Sequence, residues 1–139
     1  MNVSIIIPLL NESESINELN DWIFKAFTGT DLEFEIIYID DGSNDSSWSI
    51  IEEIAKSKIN VKGISFNRNY GKSQALRVGF SQAKGEYVAT LDADLQDSPE
   101  EIPIMINKLI ESNLDMISGW KKKRYDSFFL KRLPSSLFN

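Results

Sequence analysis

Short apolar runs alternate with amphipathic segments along this chain of 139 residues, and this alternation constrains the fold more than any other feature. The apolar runs predict strands at Val3–Leu9, Phe34–Ile39, Val61–Phe66, Tyr87–Leu91 and Met116–Ser118. Apolar residues at spacings of three and four predict a helix between each pair of consecutive strands. Continuous apolar strands that alternate with helices form a mostly parallel sheet with helices on both faces. The sequence therefore predicts an α/β fold of this kind.

Two of the predicted helices carry start signals. Ser15 and Glu18 have the spacing of a capping box, in which the serine side chain accepts a hydrogen bond from the first helical turn. Ser98 is the predicted N-cap of the last helix, with Pro99 in the first helical position and acids at positions 100 and 101. The apolar stripe of that helix consists of Ile102, Ile106, Leu109 and Ile110.

The chain contains neither histidine nor cysteine, which excludes several kinds of chemistry. Without cysteine there is no disulfide framework, no thiolate metal site and no Cys nucleophile. Without histidine there is no Ser-His-Asp triad and no imidazole acid–base catalysis. Any chemistry therefore falls to carboxylates, amides, hydroxyls, Lys, Arg, backbone groups or a metal ion held by oxygen ligands.

The formal net charge of −6 is unevenly distributed along the chain. Residues 119–132 carry six cations and one anion, a net charge of +5, so the remaining residues carry −11. An acidic chain lacks the basic face of a nucleic-acid-binding protein, so we expect no nucleic-acid partner. The basic stretch predicts contact with a phosphate-rich ligand or peripheral contact with an anionic membrane; a solvated terminus is the alternative.

The sequence says less about the location of the protein in the cell and about its assembly. No apolar run approaches the roughly 18 residues of a membrane span, and the first four residues, Met-Asn-Val-Ser, lack the positive region of a signal peptide. We therefore expect a soluble, cytoplasmic chain. The apolar residues Phe128, Phe129 and Leu130 leave three interpretations open: a homo-oligomer interface, a membrane contact or a contact with a further segment.

Acidic and amide side chains follow each of the first four predicted strands. They are Asn11 and Glu12, then Asp40 and Asp41, then Asn67 and Asn69, and finally Asp92, Asp94, Gln96 and Asp97. In parallel sheets, ligands bind outside the carboxyl ends of the strands, so these side chains are expected to converge there. Clustered carboxylates repel one another unless a cation lies among them. The pattern predicts Mg²⁺ or Mn²⁺ held by oxygen ligands and completed by substrate phosphates.

Each of these signals has a simpler structural interpretation when taken alone. The Asp92-Ala93-Asp94 triplet is also typical of a loop that opens a helix, and Asp40-Asp41-Gly42-Ser43 is typical of a turn. Glu12 would stabilise the first turn of a helix. Trp22 and Trp48 are predicted to be packing residues. The coincidence of weak signals at four consecutive strand ends favours a functional site.

Four segments carry a resemblance to a known family: VSIIIPLLNESESI, IIYIDDGSNDSSW, FNRNYGKSQALRVGF and YVATLDADLQDSPEEI. In order and spacing they resemble the family 2 glycosyltransferases, in particular the dolichyl- and undecaprenyl-phosphate hexosyltransferases. The resemblance covers essentially the whole chain, and DADLQDSPE is its most specific part. It implies the Rossmann-like GT-A fold, a nucleotide-diphosphate sugar donor linked to UDP or GDP, and a divalent metal ion.

The resemblance also implies roles for individual residues. Pro8, Leu10 and Glu12 match a segment that contacts the base and ribose, although the family often has an aromatic residue where Leu10 stands. Asp40 and Asp41 match the carboxylates that hold the base and ribose. The remaining donor-site matches are Asp92, Ala93 and Asp94 for the metal and diphosphate, Gln96 for a third metal contact, and Lys121 near the diphosphate, where the family commonly has Arg.

Beyond the donor site, Lys131, Arg132 and Ser135 resemble an acceptor-phosphate region. We accordingly divide the chain into a nucleotide-sugar-binding core, residues 1–118, and a basic acceptor-side segment, residues 119–139. The resemblance implies a catalytic base after the position matched by Asn139. We therefore expect the chain to be the donor half of a longer enzyme that acts at the inner face of the membrane, and we expect this half to bind donor without turnover. Asp97 is a local candidate base, with a helix-start acid as the alternative.

Other functions remain open from the residues alone. A phosphatase with Asp92 as nucleophile would need a DxDx(T/V) pattern, which residues 92–96 do not provide. A receiver-type signalling domain would carry its acidic pair after the first strand, whereas Asp40 and Asp41 follow the second. A non-catalytic nucleotide-binding module, or a transferase acting on a saccharide in cell-surface polysaccharide synthesis, are the remaining alternatives.

Overall fold

The computed structural model of the protein describes the backbone of residues 1–121 and 124–132, and the side chains of residues 1–118. Strands and helices alternate through the first part of the chain, and two strands follow the last helix. In chain order the elements are β1 (Val3–Leu9), α1 (Ile16–Phe27), β2 (Phe34–Asp40), α2 (Ser47–Ser57), β3 (Val61–Ser65), α3 (Lys72–Gln82), β4 (Tyr87–Thr90), α4 (Glu101–Ser112), β5 (Met116–Lys121) and β6 (Arg124–Arg132).

The strands form one sheet in the order β3-β2-β1-β4-β6-β5. β1 pairs in parallel with β2 and β4, and β2 pairs in parallel with β3. β6 runs antiparallel to both β4 and β5. The predicted α/β fold with a mostly parallel sheet is confirmed, and the carboxyl ends of the four parallel strands share one edge.

Apolar side chains are buried on both faces of this sheet. On one face, alternate β1 residues such as Ile5 and Ile7 pack with the apolar stripes of α1, α2 and α4. On the other face, Ile6 and Val88 pack against α3. A β-carbon at Gly79 of α3 would collide with the Ile6 side chain, so this glycine lets the helix lie close to the sheet. Burial on both faces explains the continuous apolar runs.

Several local predictions were wrong. The Ser15 side chain makes no capping hydrogen bond with α1; its hydroxyl donates instead to the Ala93 carbonyl oxygen at 2.6 Å. α4 begins at Glu101 rather than at Pro99, because residues 98–101 form a separate turn. Ile110, predicted in the apolar stripe, is 52% exposed.

The C-terminal part of the sheet was also underpredicted. β5 continues to Lys121, and β6 was not predicted at all. The proposed division at residues 118 and 119 therefore falls inside β5, while the acceptor-side role of the second segment stays a prediction. Among the described residues, no helix combines the length and apolar character needed to cross a membrane.

Candidate donor-binding site

An open cleft of about 360 Å³ lies at the carboxyl ends of the parallel strands. It is lined by residues at the ends of β1, β2, β3 and β4 and in the segments that follow them, as the strand-end argument predicted. The lining residues are Pro8, Leu9, Leu10, Glu12, Asp41, Asn69, Gly71, Lys72, Asp92, Ala93 and Asp94.

The loop after β1 is held by the loop after β2. Asn11 has the left-handed φ of 53°, and its side-chain oxygen accepts a hydrogen bond from the Asn44 amide at 2.8 Å. In return, the Asn11 amide donates to the Ser43 hydroxyl at 2.8 Å, and the Glu12 amide donates to the Ser47 hydroxyl at 3.0 Å. These bonds fix the backbone that carries Leu10 and Glu12 into the cleft.

Asp45 contributes to the same connection between loops. Its carboxylate accepts hydrogen bonds from the amides of Ser47 at 2.9 Å and Ser13 at 3.2 Å. Hydrogen bonding with Ser47, followed by that with Ser13, lowers the pKa of Asp45 to about 2. Asp45 is therefore ionised at neutral pH, and its carboxylate ties the β1–α1 loop to the start of α2.

The two adjacent carboxylates after β2 are both buried and both bonded to backbone amides. Asp40, 1% exposed, accepts a hydrogen bond from the Ser43 amide at 2.9 Å. Asp41, 5% exposed, accepts hydrogen bonds from the amides of Tyr70 at 2.7 Å and Gly71 at 3.0 Å. Asp41 reaches the cleft, whereas Asp40 is not among its lining residues. Each carboxylate shapes a loop, and the predicted contacts with base and ribose stay predictions.

The two carboxylates after β4 are more accessible. Asp92 forms an ion pair with Lys72, with 2.7 Å between Oδ1 and Nζ. Asp94 accepts a hydrogen bond from the Gln96 amide at 3.2 Å. Ala93 between them is anchored through its carbonyl oxygen by the Ser15 hydroxyl, which connects this loop to the start of α1.

The donor set fits a divalent cation that is shared with a ligand. Among residues 1–118, no group of three or more acidic side chains is arranged to hold a metal ion. Asp92 and Asp94 supply two carboxylates at the cleft wall. Magnesium commonly uses one or two protein carboxylates together with substrate phosphates. The remaining ligands would therefore come from phosphate oxygens and water.

The structure brings together most, but not all, of the predicted donor-site residues. Gln96 is exposed and does not line the cleft. Asp97 is buried and lines a neighbouring cleft of about 280 Å³. Lys121, Lys131 and Arg132 belong to β5 and β6, whose side chains at these positions lie outside the description, and Ser135 lies outside the described residues altogether.

Lys72 lines the cleft but was given no role in the sequence analysis, whereas Asn69, which also lines it, was named there only as a strand-end residue. Lys72 lies within a segment that carries the family resemblance, but its partner Asp92 is 20 residues away along the chain. A lysine that opens the helix after β3, facing the same sheet edge as the acids, was the available signal.

The mostly parallel α/β sheet, with a cleft at its carboxyl edge, matches the GT-A fold of solved glycosyltransferases. A solved mannosyltransferase from Pyrobaculum calidifontis, in complex with GDP-Man and Mn²⁺, shares this fold with a TM-score of 0.74 and 25% sequence identity. The match covers 89% of this chain and 36% of that one. The chain belongs to glycosyl transferase family 2, whose model matches residues 4–138, and the resemblance is thereby confirmed.

Two relatives define the part of the family that this chain is similar to. It is 43% identical over 130 residues to an undecaprenyl-phosphate 4-deoxy-4-formamido-L-arabinose transferase of Proteus mirabilis, covering 93% of this chain. It is 32% identical over 136 residues to a dodecaprenyl-phosphate galacturonate synthase of Rhizobium johnstonii, covering 97% of this chain. The chain spans 40% of the length of each relative.

Proposed function

We propose that this chain binds a nucleotide-diphosphate sugar and a divalent cation in the cleft, as the donor-binding part of a glycosyltransferase. The observation that carries the proposal is the convergence of Glu12, Asp41, Asp92 and Asp94 on one cleft in a chain of family 2. In this assignment Pro8, Leu10, Glu12 and Asp41 contact the nucleoside, and Asp40, which does not line the cleft, holds the turn beside Asp41. Asp92 and Asp94 would hold Mg²⁺ or Mn²⁺ near the diphosphate.

The chemistry of the transfer explains why two accessible carboxylates stand at this position. Displacing a nucleotide diphosphate from the anomeric carbon leaves negative charge on the departing oxygens. A bound divalent cation supplies Lewis-acid stabilisation of that charge. Asp92 and Asp94 would hold the cation, and an inverting transfer would place the acceptor oxygen on the face of the sugar opposite the departing diphosphate.

We propose a polyprenyl phosphate as the sugar acceptor. Both relatives carry a polyprenyl phosphate in their names, and the basic stretch of residues 119–132 has the charge to bind a lipid phosphate. An anionic acceptor is already nucleophilic, so cationic positioning matters more than a strong base. The transfer reaction is proposed for a protein of the relatives' length acting at the cytoplasmic face of a membrane.

The donor site is tested by calorimetric titration of UDP and of GDP into the protein, with and without Mn²⁺. The wild type is expected to bind one of the two nucleotides in a metal-dependent manner. Asp92→Asn and Asp94→Asn each remove a charged metal ligand and are expected to weaken that binding by at least about tenfold. Asp115→Asn, an exposed acid that does not line the cleft, is the matched control.

The outcomes separate the proposal from its alternatives. Metal-dependent binding that is lost only in the cleft variants supports the donor site and identifies the nucleotide. Absence of binding in a folded wild-type sample would contradict the proposal. Transfer is then tested with a protein of the relatives' length, using sugars linked to the nucleotide that binds and two acceptors, undecaprenyl phosphate and an oligosaccharide. Transfer to the oligosaccharide alone would contradict the lipid-phosphate assignment. Donor binding without transfer to either acceptor would favour a non-catalytic nucleotide-binding module.

A further inference from the structure

A lysine without an assigned role forms an ion pair with one of the two cleft-lining carboxylates that follow β4. Lys72 is the first residue of α3, and its Nζ lies 2.7 Å from Oδ1 of Asp92. The side chains of Lys72 and Asp92 are 62% and 31% exposed. Ion pairs between side chains this accessible contribute little to folding stability. The position of the pair is therefore better explained by what it does in the cleft than by the stability that it adds.

The ion pair stands where two clefts meet. Pro8, Lys72 and Asp92 line both the cleft of about 360 Å³ and the neighbouring one of about 280 Å³. Leu76 and Phe80 of α3 also line the second cleft, and Lys72 is the basic residue among its described lining residues. Lys72 is thus positioned beside Asp92, at the boundary that the two clefts share.

A lysine ammonium and a divalent cation cannot both hold the same carboxylate oxygen without repelling each other. In the cleft as it stands, the ammonium of Lys72 pairs with Asp92 Oδ1. When a divalent ion binds Asp92, the ammonium loses its partner to a stronger cation. The long, flexible lysine stem lets the ammonium reach an alternative anion, and phosphate oxygens are strong acceptors for it.

We propose that Lys72 is a donor-binding residue with two partners: it holds Asp92 while the cleft lacks a metal ion, and it binds the diphosphate once the metal ion has taken Asp92. The inference rests on the proposed donor site. It adds Lys72 to that site and a competition between the Lys72 ammonium and the metal ion for Asp92. It predicts two effects of opposite sign from a single substitution. Removing the ammonium favours the metal ion alone and disfavours the diphosphate.

The test uses Lys72→Met, which keeps the length of the side chain and removes its charge. Binding of Mn²⁺ alone, followed by electron paramagnetic resonance of the free ion, is expected to tighten by about threefold, because a competing ion pair is lost. Binding of the preferred nucleoside diphosphate in saturating Mn²⁺ is expected to weaken by about tenfold, the loss of one charge-assisted hydrogen bond. Binding of the corresponding nucleoside without phosphate is expected to stay unchanged.

Two further variants separate a direct role from a structural one. Lys72→Arg keeps the charge and is expected to restore most of the diphosphate affinity. Lys56→Met makes the same change in the last turn of α2, at the opposite edge of the sheet, and is expected to bind both Mn²⁺ and nucleotide as the wild type does. Circular dichroism of each variant verifies the fold.

The results distinguish this inference from the proposed function. If Asp92→Asn loses metal-dependent nucleotide binding while Lys72→Met binds diphosphate like the wild type, the role of Lys72 is overturned and the donor site stands. If Lys72→Met weakens the diphosphate and the bare nucleoside equally, the lysine acts only on the shape of the cleft and the inference is again overturned. If the folded wild type binds neither UDP nor GDP, the donor site and the inference both fall.

Discussion

The turn after β2 depends on a single glycine because the loop after β3 lies directly against it. Gly42 has a φ of +83°, and a β-carbon there would lie 2.5 Å from the carbonyl carbon of Arg68 and 2.7 Å from the amide nitrogen of Asn69. Those neighbours are backbone atoms, so they move only if the whole loop moves. The same loop carries Asn69, Gly71 and Lys72 into the cleft.

Gly42→Ala is therefore expected to destabilise the protein and to weaken nucleotide binding together. The left-handed φ costs about 1 kcal/mol for alanine, and the overpacking adds about 1–3 kcal/mol. Gly29→Ala is the matched control, because Gly29 has a φ of +80° with nothing within 4 Å of an added β-carbon. Equilibrium unfolding in urea gives the loss in free energy of unfolding for each variant. An equal loss in Gly42→Ala and Gly29→Ala would show that the close approach of the β3–α3 loop is not the cause.

Individual residues also show what a sequence can and cannot predict about a site. The convergence of Glu12, Asp41 and Asp92 followed from strand ends in a parallel sheet, which needs only the order of the elements. The bonds from Asp41 to the amides of Tyr70 and Gly71 span about 30 residues along the chain and depend on how two loops fold against each other. No local pattern reports such contacts, so the partners of these acids could not be predicted.

At the scale of elements, a buried polar cluster joins four segments at the sheet edge opposite the cleft. Glu35 of β2 is 2% exposed; its Oε1 accepts hydrogen bonds from the Ser4 hydroxyl at 2.6 Å and the Lys84 amide at 2.8 Å. Its other oxygen lies 3.0 Å from Nζ of Lys62 on β3. Burial acts to raise the pKa of Glu35, but the bonds from Ser4, Lys84 and Lys62 outweigh it and lower the pKa.

This cluster predicts a pH dependence of stability. Because the folded pKa of Glu35 is lowered, the unfolded state takes up the proton first as the pH falls. The stabilisation is present above the unfolded pKa, near 4.5, and is lost as the pH falls through the folded pKa. Glu35→Gln is expected to cost about 1–3 kcal/mol at pH 7. Urea unfolding of the wild type and of Glu35→Gln, at pH 7 and in acid, measures the difference in their free energies of unfolding. This difference is expected to be smaller in acid. A difference that does not change with pH would contradict the role given to the ionised Glu35.

The elements themselves were predicted unevenly, for physical reasons. β1 and β2 are buried on both faces, so their runs VSIIIPL and FEIIYI stand out from the sequence. β6 reads RYDSFFLKR, which mixes charged and aromatic residues without a clear period. Its place in the sheet comes from pairing with β4 and β5, a tertiary contact that overrides weak local propensity. α1 begins after Ser15 as predicted, but the Ser15 hydroxyl donates to the Ala93 carbonyl oxygen instead of capping the helix. α4 begins later than predicted, at Glu101, and the Ser98 hydroxyl donates to the Glu100 carboxylate.

At the scale of the whole molecule, charge is distributed unequally between two parts of the sequence. The sequence outside residues 119–132 carries a net charge of −11, and that stretch carries +5. An acidic body is repelled by an anionic membrane, whereas a basic stretch is attracted to one. The proposed lipid-phosphate acceptor lies in such a membrane. Whether the chain reaches this acceptor therefore depends on the balance between repulsion of the acidic part and attraction of the basic stretch.

We therefore expect the protein to bind vesicles containing anionic lipid and not vesicles of neutral phosphatidylcholine. Each cation near an anionic surface contributes about 1 kcal/mol, so the triple variant Lys122→Gln, Lys123→Gln, Arg124→Gln should reduce vesicle partitioning by about 100-fold. Cosedimentation with vesicles at low salt measures this partitioning. At about 1 M salt the Debye length is ~3 Å, so vesicle binding should be abolished in the wild type and in every variant.

The control for that experiment removes the same charge from the acidic body. Lys25, Lys56 and Lys108 are exposed on α1, α2 and α4, and their replacement by Gln gives the same net charge as the triple variant. If binding depends on the basic stretch, the body variant keeps nearly all of its affinity, since these lysines belong to a surface that the membrane repels. Equal losses in the two triple variants would show that net charge alone governs binding, and the basic stretch would then have no special role at the membrane.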